Sequence, residues 1–138
     1  MLYPDLKEFK SLCGKGNLIP VYREILADFD TPVSAFLKIG KGPSFLLESV
    51  VGGEKWARYS FLGTNPSKVI KGRGKKIEIR ERGRKPVVFE ADDPVDVLKK
   101  EIALYKPVDV PGLPRFSGGL VGYMGYDMVR FFERVPDS

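Results

Sequence analysis

Between Lys68 and Glu90 the chain reads KVIKGRGKKIEIRERGRKPVVFE, and this stretch limits the possible folds more than any other. Strand patterns are expected at Lys68 to Lys71, Lys75 to Arg82 and Pro86 to Glu90, with glycines at 72, 74 and 83 marking the turns between them. A parallel pair needs a crossover of about a dozen residues or more. Links this short leave no room for one, so these strands must form an antiparallel meander. Within the middle strand, Ile77 and Ile79 point one way while Lys76, Glu78 and Arg80 point the other.

The flanking segments add helices. Leu6, Phe9, Leu12 and Cys13 recur at helical spacing, and Gly14 and Gly16 can stop that helix. Leu18 to Leu26 reads as a strand with Pro20 near its start. Thr31-Pro32 is a helix entry, a hydroxyl cap followed by a proline whose missing N–H is not needed there. Gly40 and Gly42 end that helix, and strands are expected at Ser44 to Val50 and Arg58 to Thr64. Asp93-Pro94 repeats the cap-and-proline entry, and Val95, Leu98, Ile102 and Tyr105 make an apolar stripe through residue 105. Pro107, Pro111 and Pro114 then demand extended chain. Gly118 to Tyr123 is expected as a strand and Tyr126 to Glu133 as a last helical segment. Helices and closely linked strands in this order predict an α+β fold, with antiparallel sheet and flanking helices. No repeat, low-complexity segment or linker divides the 138 residues, which are expected to form a single domain.

Composition excludes several chemistries. There is one cysteine, Cys13, and no histidine. A Cys/His zinc site and a Ser-His-Asp triad are therefore impossible within this chain. The lone cysteine allows no intrachain disulfide and fits a reducing cytoplasm. No apolar run is long enough to span a bilayer, and the first residues lack the pattern of a signal peptide.

The net charge is +5, and Lys71, Arg73, Lys75, Lys76, Arg80, Arg82, Arg84 and Lys85 fall close together. A nucleic-acid patch is one reading of this cluster. The alternation of charge with isoleucine, and the absence of interleaved aromatic rings, favour solvated strands instead.

The stretch from Phe45 to Pro66, FLLESVVGGEKWARYSFLGTNP, holds the candidate site. An apolar strand runs straight into Glu48 and Ser49, polar groups that need partners if buried. A bound ligand is one possible partner. A turn in which these side chains bond their own loop is the other.

Three segments carry a family resemblance. Leu46 to Ser49 followed by Arg58 to Gly63, Asn17 to Glu24 leading into Asp30 to Ala35, and Phe116 to Tyr123 leading into Tyr126-Asp127 occur in the order seen in anthranilate synthase component I. The sequence resembles the N-terminal region of that family over nearly its whole length. The basic segment from Lys68 to Glu90 carries no matching motif.

The resemblance implies part of a two-sheet fold with helices outside, in which N-terminal and C-terminal portions both contribute strands. It implies a reaction converting chorismate and ammonia to anthranilate and pyruvate, as a step of tryptophan biosynthesis. The complete enzyme would depend on Mg²⁺ and on a glutaminase component II that supplies ammonia. The catalytic groups and metal ligands of the family lie in its C-terminal chorismate-binding domain, which nothing here matches. No catalytic or metal-ligating residue is therefore assigned, and residues 1–138 are expected to be an N-terminal regulatory domain, inactive alone and partnered by its own catalytic domain.

What the resemblance assigns to this region is feedback inhibition by L-tryptophan. Glu48 can accept from the ammonium, and Ser49 can donate and accept. Leu47 and Val50 would wall the ring slot, and Arg58 is the nearest cation in sequence, with a structural ion pair as its alternative. Other readings are the N-terminal portion of aminodeoxychorismate synthase component I and a stand-alone ligand-binding or nucleic-acid-binding module.

Overall fold

The computed structural model describes residues 1–48, 59–114 and 116–134. Its elements follow the order α1 (Leu6–Leu12), α2 (Pro32–Ile39), β1 (Ser44–Leu47), β2 (Phe61–Thr64), β3 (Lys68–Arg73), β4 (Lys76–Glu81), β5 (Val87–Glu90) and α3 (Pro94–Ala103), then a 3-10 turn at Tyr126–Phe131. β1 and β2 form one antiparallel sheet, and β3, β4 and β5 form a second in that order. The architecture is α+β, as expected.

Caps set the helix starts. Asp5 accepts from the Glu8 N–H at 2.8 Å, and Asp93 accepts from the Val95 N–H at 2.8 Å ahead of Pro94. Thr31 and Ser34 form a reciprocal capping box: each side-chain oxygen accepts from the other's backbone N–H, at 3.1 and 2.9 Å. Lys38 and Ser34 both donate to Asp30, and the two bonds hold its carboxyl below the usual carboxylate range. Asp96, bonded to Lys100, is lowered in the same way. Contributions of this sign are present at neutral pH and vanish as pH falls through the lowered value. Both pairs lie in solvent, where such contacts add little.

The chain divides into two compact units, Met1–Glu24 with Glu90–Ser138, and Ile25–Phe89. In the first, Leu12 of α1 packs with Val108 and Val110, and Ile19, Tyr22 and Leu113 close around them. Asn17 clamps this core. Its side chain donates to the Leu104 carbonyl at 2.7 Å and accepts from the Lys106 N–H at 2.6 Å. The Tyr22 hydroxyl donates to the Pro111 carbonyl, and its ring stacks on Tyr3 with centroids 5.7 Å apart. In the second unit, Ile77 of β4 is 1% exposed and lies over Gly72 of β3, the residue directly opposite.

Several expected boundaries change. Leu18 to Leu26 is not a strand; it makes only isolated bridges, Leu18 to Pro107 and Tyr22 to Tyr3. Pro20 removes a backbone donor from any ladder there. Gly118 to Tyr123 also lacks strand pairing. Gly118 and Gly119 hold φ of +156° and +142°, a backbone that a regular strand does not use. α3 ends at Ala103 rather than 105, and the last segment is a single 3-10 piece. Gly72 belongs to β3, while the turns fall at Gly74 and Gly83, whose φ values of +55° and +77° favour glycine. The part of the expected first strand beyond Glu48, and the start of the second at Arg58, lie outside the described residues.

Burial is sparse. The chain exposes 12,089 Å². Two separate globular bodies of half its mass would together expose only about 9,000 Å². Leu26, Phe29, Tyr123 and Tyr126 are among the large side chains that stand almost fully in solvent. No helix among the described residues is long and apolar enough to cross a membrane.

Candidate functional site

The β1–β2 hairpin positions the residues singled out by the sequence. Its register pairs Ser44 with Thr64, Phe45 with Gly63, Leu46 with Leu62 and Leu47 with Phe61. Side chains of directly opposed residues share a face. The Phe45 ring therefore lies over Gly63, where an added Cβ would overlap it. α2 packs against both strands. At one end, the Thr64 hydroxyl accepts from the Lys41 N–H and donates to the Lys41 carbonyl, tying the α2–β1 link to the end of β2. β1 stops at Leu47, which is half exposed, and Glu48 follows with its carboxylate in solvent.

Across from Leu47, Phe61 approaches Tyr59 with ring centroids 6.1 Å apart. Tyr59 is 56% exposed. Among the described residues, this end of the hairpin thus gathers an aliphatic side chain, two aromatic rings and an exposed carboxylate. This set offers an acceptor to an ammonium and an apolar surface to a ring. Ser49, Val50 and Arg58 lie outside the described residues, so the placement reported is that of Leu47 and Glu48. Sequence reasoning passed over Tyr59 and Phe61; the signal for them was their period-2 spacing across from Leu47.

The first unit holds a cavity of about 380 Å³ lined by Pro20, Pro107, Val108, Asp109, Val110, Leu113, Pro114 and Ser117. Pro20 and Ser117 come from two of the three segments that carry the family resemblance. Glycines let these segments approach. Gly16 sits against the Lys106 carbonyl and Val108, and Gly112, with φ of +88°, sits against the Tyr22 hydroxyl.

Among the described residues no three His, Cys, Asp or Glu side chains are grouped so as to hold a metal ion.

Comparison with known proteins gives the decisive observation. The chain is 45% identical over 138 residues, 99% of its length, to anthranilate synthase component 1 of Acetivibrio thermocellus. It is 47% identical over 130 residues to the Pseudomonas putida protein of that name, and 46% over 136 residues to that of Aquifex aeolicus. The chain resembles the N-terminal region of anthranilate synthase component 1. It spans 28%, 26% and 27% of the length of these curated relatives. No family model matches the chain, and no solved structure matches it. The likeness to anthranilate synthase component 1 includes the Lys68–Glu90 meander, since the first match leaves out only 1% of the chain.

Proposed function

We propose that this chain is the N-terminal regulatory portion of an anthranilate synthase component 1, and that it contributes a binding site for L-tryptophan at the C-terminal end of β1. The observation that carries the reading is identity of 45–47% spread over 93–99% of the chain. The local chemistry supports it. A zwitterionic amino acid with a large ring needs an acceptor, a donor and an apolar wall. Glu48 supplies the acceptor and Ser49 the donor. Leu47, Val50 and the rings of Tyr59 and Phe61 supply the wall, and Arg58 stands as a cation for the ligand carboxylate.

In this reading the complete enzyme turns chorismate and ammonia into anthranilate and pyruvate, with Mg²⁺ bound by its catalytic domain and ammonia delivered by a glutaminase component II. The present residues do none of the bond-making. They hold the inhibitor, and through it favour a less active arrangement of the whole, which is a coupling free energy between two sites. The sparse burial supports a region that completes its packing against more protein.

Two tests follow. The purified chain, given chorismate, Mg²⁺ and ammonium, is expected to form no anthranilate; measurable turnover, read by product fluorescence, would overturn the assignment of chemistry to other residues. In the complete enzyme, losing a hydrogen bond to a charged group costs about 1.5–3 kcal/mol. Ser49→Ala is therefore expected to raise the tryptophan concentration for half-inhibition about ten-fold or more, with kcat and KM for chorismate close to wild type. Glu48→Gln is expected to act in the same direction. An unchanged inhibition curve for both variants would remove this strand end from the site.

A further inference from the structure

We draw no further inference here: the strongest candidate, the cavity of the first unit between Pro20 and the segment from Pro107 to Ser117, carries nothing because its polar lining residues, Asp109 and Ser117, stand in solvent and nothing in the structure shows what covers it.

Discussion

Gly16→Ala is expected to destabilise the unit formed by residues 1–24 and 90–138 by about 3 kcal/mol, lowering its urea midpoint by more than about 1 M. A Cβ on residue 16 would fall inside the Lys106 carbonyl oxygen and within 2.8 Å of the Val108 Cγ2. The obstacle is backbone, so no rotamer change relieves it. That carbonyl also accepts from the Asn17 and Leu18 N–H groups, at 3.0 and 3.3 Å. Moving it breaks both bonds and pulls Lys106 away from the Asn17 side chain. Gly14→Ala is the control, because nothing lies within 4 Å of a Cβ there. If the two variants melt alike, the close approach at Gly16 is not what holds this unit together.

Ile77→Ala is expected to cost the second unit about 3 kcal/mol. Ile77 is buried to 1%, and its Cδ1 fills the space left by the absent side chain of Gly72. Truncation opens a cavity where the sheet has its tightest packing. Amide exchange should quicken across residues 68–81 and stay unchanged across residues 104–110, because Ile77 and the Leu12 core belong to different units. Ile79→Ala, at a half-buried position on the same face, should cost less. Exchange rising equally in both units would show that they open as one, contrary to this expectation.

The meander was legible because local rules agree there. Alternation, glycine turns and short links all demand antiparallel strands, and the observed ladder from Lys68–Glu81 to Arg73–Lys76 obeys them. The helix starts at Thr31-Pro32 and Asp93-Pro94 were equally plain, since capping is decided within four residues. Leu18 to Leu26 does not form the expected strand. Its apolar residues are not spaced for one sheet face; Ile19 and Tyr22 reach the Leu12 core while Ile25 and Leu26 remain in solvent.

Of the candidate site, the strand end at Leu47-Glu48 was visible in the sequence, because a polar residue closing an apolar run is a local signal. The rings of Tyr59 and Phe61 were not, because their place beside Leu47 depends on the hairpin register.

The sequence by itself determined the α+β class, the antiparallel pairing, the caps of α2 and α3 and the likeness to one enzyme's N-terminal region. All of these follow from residue chemistry within a few positions or from the order of motifs. Only the tertiary structure decided that Gly16 must lie against a carbonyl from ninety residues away and that Asn17 clamps the segment after α3. Those outcomes depend on which distant backbone atoms meet, and contacts across such separations leave no periodic trace in the chain that makes them.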